Sequence, residues 1–357
     1  MSVARESRFQ QSCVTIAAIM LIIGGLKIGA SIVVPILLAA FIAIIFATPI
    51  HLLTSWGVPK VFAVMGVLLT VIVLSILLLT FAGNSLQEFL VDFPVYRARM
   101  MDDHQRLREW VQRVAGDNLD LDYLSPRTGL EFVSSSLNSL GNLFASSFLV
   151  LLIVIFMLFE SAEIPAKLAA VSQVDPEWKR PLASAEEIIH EIRHYMVIKT
   201  LVGLLTGSSI AIWLALLNIK FWFLWGVITF LMNFIPNIGA ILAAIPAVLI
   251  AYVQLGAQPA GFAAVGFVVV NLFYGYAVEP RVLGRGLDMS TLVVFLSLVF
   301  WGWVLGPVGM LLSVPLTMIV KIIALNFEET TWIAILLGSG QALEERLATL
   351  PEKEAAE

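Results

Sequence analysis

Charge is scarce in this chain. Asp, Glu, Lys and Arg make up 13% of its 357 residues, against about a quarter in an average soluble domain. Basic residues do not predominate either. The formal net charge is −5, and nucleic acid needs a basic surface, so no nucleic-acid partner is expected. The single cysteine, Cys13, excludes an intramolecular disulfide and any cysteine-cluster metal site. It is expected to pack rather than react. The chain has no G-x-x-x-x-G-K-[ST] loop and no dinucleotide fingerprint after a strand. Energy coupling by a resident ATPase domain is therefore excluded, and no cofactor is expected.

What the chain has in excess is apolar sequence. Hydrophobic residues make up 59%. They are grouped in runs near 20 residues, the length that crosses about 30 Å of hydrocarbon as a helix. Outer-membrane barrels show weak alternation over about 10 residues instead. The candidate spans are Val14–Leu26, Ile28–Pro49, Val61–Phe81, Leu143–Phe159, Val197–Leu217, a broken stretch Phe221–Tyr252, Ala260–Val278 and a second broken stretch Met289–Ile323. The expected fold class is an all-α polytopic membrane protein of about eight hydropathy spans. Arg5 and Arg8 before the first run give it the look of a signal peptide. No small-residue cleavage site follows, so an uncleaved first span is expected, with Lys27 snorkelling at its end.

The expected organisation is residues 1–83 for the N-terminal spans, an extracytoplasmic insertion 84–142 and a span 143–160. A cytoplasmic segment 161–196, a C-terminal core 197–325 and a cytoplasmic tail 326–357 follow. Orientation follows the Lys and Arg bias of short loops, with Arg5 and Arg8 placing the N-terminus in the cytoplasm. Leu107, Trp110, Val111 and Val114 have helical spacing, which predicts an amphipathic helix on a protein or membrane surface. Asp175-Pro176-Glu177 predicts the start of another helix, because Asp caps and Pro suits the first turn. That helix is expected to run into the next span. The acidic tail from Glu344 is expected to be solvated.

The most informative feature is the pair of broken stretches. The first breaks at Ile235-Pro236-Asn237-Ile238-Gly239 and the second at Leu305-Gly306-Pro307-Val308-Gly309. A further proline follows each, Pro246 and Pro315. As one straight helix, the first stretch would be roughly 48 Å long at 1.5 Å per residue. That is too long for one crossing and suits a hairpin or two half-helices. A single crossing would also put Arg281 and Arg285 outside, against the charge bias, so two Pro/Gly-broken helical hairpins are expected in the C-terminal half. A helix broken inside a bilayer frees N–H and C=O groups. That is tolerated only where protein or a wet cavity satisfies them, and paired broken segments point to a transport site.

Polar residues near the breaks are the candidate pathway: Asn233, Pro236, Asn237 and Gly239 at the first break, Asn271 and Tyr274 in the next span, then Glu279, Arg281, Arg285 and Asp288. Gly306, Pro307 and Gly309 complete the set at the second break. Polar groups at membrane depth are costly and are paired or functional. Asparagine offers donor and acceptor together, which suits a neutral hydroxylated solute. Bland alternatives stand beside these roles: Asn237 as a half-helix cap, Glu279 with Arg281 as an interface ion pair, Trp301 and Trp303 as interface anchors. Gly203 and Gly207 form G-x-x-x-G, whose ordinary meaning is close helix packing.

One metal motif matches outright. His190-Glu191-Ile192-Arg193-His194 is H-E-x-x-H, which on a helix binds zinc with the glutamate as general base. His51 and His104 are distant in sequence, no third ligand is identifiable, and Arg193 disfavours a bound cation. A solvated helix face is the expected meaning, and no metal is expected.

Several segments together carry a resemblance. They are Phe234-Ile235-Pro236-Asn237-Ile238-Gly239 followed by Ala244-Ile245-Pro246, and Glu279-Pro280-Arg281-Val282-Leu283-Gly284-Arg285-Gly286-Leu287. Ser290 to Ser297, then Trp301-Gly302-Trp303 through Gly306-Pro307-Val308-Gly309 to Ser313-Val314-Pro315-Leu316-Thr317, continue it. Val34-Pro35-Ile36-Leu37-Leu38-Ala39 and Lys199 before Gly203 fit as well. The chain resembles the autoinducer-2 exporter family of permeases, most strongly over residues 195–325. The resemblance implies a plasma-membrane protein of a Gram-negative bacterium. It also implies export of a small, neutral, sugar-like signal with an effect on biofilm formation. It implies no established binding residues, and some relatives are associated with cation/proton antiport. The expected partners are an autoinducer-2-like small molecule and membrane lipid, and glycine-rich spans make a homo-oligomer plausible. Three readings compete: a secondary transporter, a cation/proton antiporter with Glu279 or Asp288 as its carboxylate, and a membrane zinc protease.

Overall fold

The structure, a computed structural model, describes residues 17–18, 20–115, 147–160, 167, 170, 179–236, 238–283, 289–325 and 330–338. Where they are described, the eight expected apolar segments are helical except at turns within the two broken stretches and at a few residues near segment ends. Residues 20–28 are helical and lead through a turn at Gly29 into α1 (Ala30–Ser55). Then come α2 (Lys60–Ala115), α3 (Ser147–Glu160), α4 (Lys179–Leu216), α5 (Trp222–Met232), α6 (Gly239–Leu255) and α7 (Ala257–Leu272). A π-helical segment, Phe273–Val278, joins α7 to α8 (Glu279–Leu283). The chain continues as α9 (Thr291–Leu311), α10 (Ser313–Leu325) and α11 (Thr331–Leu337).

Among the described residues, five helical stretches are long and apolar enough to cross a membrane. Their surfaces say the same. Only 28% of the most apolar window of α2, and 17% of that in Ala257–Leu283, is buried. Val61, Leu69, Val265 and Val269 are all more than half exposed. Apolar side chains left uncovered along whole helices require a hydrocarbon solvent.

Two segments differ from expectation in extent. The helix that carries the third span does not end near Phe81. α2 runs on through Pro94 to Ala115, 56 residues or roughly 84 Å at 1.5 Å per residue. The segment holding Leu107, Trp110, Val111 and Val114 is thus the far end of a spanning helix rather than a separate one. Those four side chains lie outside the described residues. α4 meets the expectation of a helix entering the membrane from a polar start. It begins at Lys179, just after the undescribed Asp175-Pro176-Glu177.

The chain divides into two compact units. In the unit formed by residues 45–151 and 190–287, one apolar core joins α2, α4, α5, α6 and α7. Phe89, Leu214, Leu224, Trp225, Ala247, Ile250 and Ala263 are at most 2% exposed in it. Phe89 sits edge-on to Phe221 and Trp225, with ring centroids 5.4 and 5.7 Å away. This nest holds Phe221 at φ 62, a left-handed conformation that bulky residues seldom take. Polar bonds close one end of the unit. Lys220 N–H donates to Gln254 (3.0 Å), Gln254 donates to the Tyr96 hydroxyl (3.3 Å), Tyr96 donates to Asp92 (3.1 Å), and Arg99 donates to the Val253 carbonyl (3.0 Å).

Glycines set the closest approaches. A Cβ on Gly207 of α4 would lie 2.6 Å from the Gly226 carbonyl oxygen of α5, and one on Gly226 would lie 2.7 Å from the Ala211 methyl. The Gly203/Gly207 pair is therefore a packing seam, as its spacing predicts.

In the other unit (residues 1–44, 152–189 and 288–357), the Ser290 hydroxyl caps α9 by accepting from Val293 N–H at 3.2 Å. α9 is interrupted at Gly306, whose φ of 71 and ψ of −154 belong to a region open essentially to glycine alone. The chain folds back here. Trp301 Nε1 donates to Thr317 Oγ1 at 3.0 Å, whereas sixteen residues of straight helix would hold them roughly 24 Å apart. Lys27 is exposed at the end of the first run. Its ammonium stands 3.7 Å from the ring centroid of the exposed Trp303, a cation–π contact.

Candidate functional site

The site is built on α4 and on the helix that passes it in the opposite sense, α7 through α8. Three contacts form a ladder. Trp213 Nε1 donates to the Phe262 carbonyl at 3.0 Å, with Gly266 directly beneath the indole, where no Cβ would fit. The Tyr274 hydroxyl lies 3.1 Å from Ser209 Oγ. Lys199 Nζ lies 2.6 Å from a Glu279 carboxylate oxygen. Moving back along α4 from 213 to 199 matches moving forward from 262 to 279, so packing alone brings lysine and glutamate together.

The first break supplies the third wall. α5 ends at Met232, and residues 233–236 and 238 are turn and bend before α6 begins at Gly239. The turn is tight enough that a Cβ on Gly239 would fall on the Met232 carbonyl oxygen. α5 and α6 pack together and both pack on α2, so this stretch is a hairpin. Asn233, at its bend, lies against Gly203 of α4.

These elements enclose a hollow of about 410 Å³. Its floor and sides include Ile241, Ala244, Phe267, Val268 and Leu272. Its polar groups are Lys199, Asn233, Asn271, Tyr276 and Glu279, with Pro236 at the rim of the break. The Asn233 amide nitrogen is buried without a hydrogen-bond partner. Asn271 donates to the Phe267 carbonyl at 2.7 Å, which orients its amide and leaves its oxygen as an acceptor. Lys199 and Glu279 have side chains 7% and 20% exposed. Two charges taken this far out of water need one another, and together they sum to zero. The hollow thus offers aimed donors and acceptors, apolar walls and no net charge. A larger hollow, about 540 Å³, is lined by Phe81, Ser85, Glu88 and residues 220–223 and holds none of the expected pathway residues.

Of those expected residues, Asn233, Pro236, Asn271 and Glu279 meet in one hollow. Gly239 lies behind them as the tight point of the turn. Tyr274 sits just outside, on Ser209. The π-helical segment explains this, because its bonds run from i to i+5 rather than i+4. It shifts the face that follows Asn271 from Tyr274 to Gly275 and Tyr276. Arg281 is exposed, and the partner of Glu279 is Lys199 rather than Arg281. Gly306, Pro307 and Gly309 belong to the other compact unit. Asn237, Arg285 and Asp288 lie outside the described residues. Sequence reasoning passed over Lys199 and Tyr276 as site residues. For Lys199 the signal was present, a lysine inside the apolar run Val197–Leu217.

His190, Glu191 and His194 are all exposed on α4. Among the described residues, no three of His, Cys, Asp and Glu gather as a metal site would require.

Long apolar helices with their side chains largely uncovered define a polytopic α-helical membrane protein. The chain belongs to the AI-2E family of transporters, which it matches over residues 16–329. It is 40% identical over 329 residues to the protein named "AI-2 transport protein TqsA" of Escherichia coli K12, covering 91% of this chain and 94% of that one. It is 35% identical over 330 residues to a "Putative transport protein" of Haemophilus influenzae (90% and 94%), and 32% identical over 335 residues to "Putative transport protein YhhT" of E. coli K12 (91% and 93%). With its apolar helices, this makes it a multi-pass protein of the bacterial inner membrane, and its family and relatives are transport proteins rather than enzymes.

Proposed function

We propose that this transporter exports a small neutral signal, autoinducer-2 or a similarly hydroxylated molecule, by way of the hollow between α4, the first broken hairpin and α7–α8. The observation that carries the proposal is the unpartnered Asn233 N–H buried beside a charge-neutral Lys199–Glu279 pair. A donor left unsatisfied at membrane depth costs free energy until a ligand oxygen reaches it. The Asn271 oxygen, oriented by its bond to Phe267, takes a hydroxyl proton across the hollow. Adjacent carbonyl and hydroxyl groups on one small molecule satisfy both. The name carried by the E. coli relative at 40% identity supports the choice of signal.

The direct test is flux of purified autoinducer-2 across vesicles containing the purified protein, with efflux from cells as the second measurement. Asn233→Leu and Asn271→Leu are expected to lower flux about tenfold each, the value of one good hydrogen bond to a desolvated partner. Membrane abundance should stay unchanged. Wild-type flux in both variants would overturn the assignment of the hollow.

Cation/proton exchange is the second reading, since Glu279 is a carboxylate at span depth. A lysine 2.6 Å away already occupies it, which favours the neutral-solute reading. Sodium-driven proton movement in vesicles, followed with an internal pH dye, would reverse that preference.

A further inference from the structure

The salt bridge in the hollow has its acidic member toward the open space and its basic member behind. Glu279 is 20% exposed and Lys199 only 7%. We infer that Lys199 is a tethered cation: its ammonium fills the place beside Glu279 that a free monovalent cation would otherwise take, and so makes the pathway selective for uncharged solutes. The inference rests on the hollow being the solute pathway, as proposed above.

The surroundings fit such a substitution. Without the ammonium, the Glu279 carboxylate, 20% exposed, would face a hollow that Asn271 and the largely exposed Tyr276 also line. Oxygen donors around a carboxylate are the ligand type that hard cations select. With Glu279 only 20% exposed, its charge is screened less than at the surface, and effective attraction rises as the dielectric falls. Arg281, the next basic residue along the chain, is exposed, and the ion pair of Glu279 is with Lys199. Lys199 is held to this place. Its side chain leaves α4 at the level where Gly203 lets Phe230 and Asn233 of the first hairpin approach. Neutrality is therefore a property of two residues on different helices, and changing either one changes the sign of the site.

The test is ion selectivity of the purified protein in vesicles at about pH 8, where an ordinary glutamate is ionised. Wild-type protein is expected to pass neither sodium nor potassium above protein-free vesicles. Lys199→Gln should raise uptake of these cations about tenfold or more, the effect of one uncompensated charge. Lys199→Arg should exclude them as wild type does, and the Lys199→Gln, Glu279→Gln double variant should return to exclusion. Glu279→Gln supplies the opposite sign and does not depend on the first variant folding. It leaves the ammonium unpaired and should admit a monovalent anion, read by iodide quenching, but no cation. Sodium chloride should raise the melting midpoint of Lys199→Gln relative to choline chloride, and should not do so for wild type or the double variant. Unchanged ion exclusion in both single variants would overturn the inference. If Asn233→Leu and Asn271→Leu lose signal flux at the same time, the pathway itself stands. Signal flux at the wild-type rate in those two variants would instead remove the pathway on which the inference depends.

Discussion

The two broken stretches carry nearly the same punctuation and do different things. The first bends between Met232 and Gly239 and leaves an amide N–H of Asn233 buried and unpaired beside a hollow. The second bends at Gly306 and closes on itself. There Trp301 is bonded to Thr317, the Thr317 hydroxyl to the Ser313 carbonyl at 2.8 Å, and the Ser313 hydroxyl to the Met310 carbonyl at 2.9 Å. Proline and glycine mark where a spanning helix turns. Whether the turn is poised for a ligand depends on whether its polar groups find partners inside the protein. By that measure the first hairpin keeps an open donor for the proposed pathway, while the polar groups of the second bend that are bonded here are satisfied within it.

Several substitutions would break or sharpen this contrast. The largest effect is expected where the turns are alike. A Cβ at Gly239 falls on the Met232 carbonyl oxygen, and one at Gly309 falls on that of Trp301. The obstacle in both cases is backbone, which cannot swing aside as a flexible side chain can. Gly239→Ala and Gly309→Ala should each cost roughly 3 kcal/mol or more, seen as loss of folded protein by size exclusion in detergent. Normal melting of either variant would show that the bends are looser than described.

Gly306→Ala comes next. At φ 71 and ψ −154, any side chain is strained by about 1–3 kcal/mol. The melting midpoint should fall, with signal flux retained per folded molecule.

The third pair separates the open donor from the satisfied bend. Thr317→Val leaves the Trp301 N–H without its acceptor and should destabilise by about 1–3 kcal/mol, with little change in flux per folded molecule. Asn233→Leu removes a donor that already lacks a partner, so stability should be equal or about 1 kcal/mol higher while flux falls. The reverse pattern would exchange the roles of the two hairpins. The smallest effect is expected at Lys220. Its bridge to Asp92 is 3.5 Å long and the lysine is 58% exposed, so Lys220→Ala should shift stability by less than about 0.5 kcal/mol.

Much of the fold was legible because membrane signals are local. Runs such as Ile28–Pro49 and Ala260–Val278 announce helices by length and apolarity, since lipid leaves no other partner for the backbone. Glu279 and Asn271 stood out as polar groups in apolar company. The continuation of α2 through Pro94 to Ala115 did not stand out, because proline and rising charge both read as a boundary. Tyr274 and Tyr276 exchanged places relative to the hollow for a similar reason. A π-helical turn leaves no clear mark in composition, yet it moves every later side chain around the helix.

The sequence by itself determined where helices run, where they break and which residues are out of place in lipid, because each of these depends on the few residues within one turn or one span. Only the tertiary structure decided that Lys199 answers Glu279, that Asn233 has no partner and that Thr317 closes the second bend. Those outcomes depend on how closely glycine seams such as Gly203–Gly207 let distant helices approach, and distance between helices is not a local quantity.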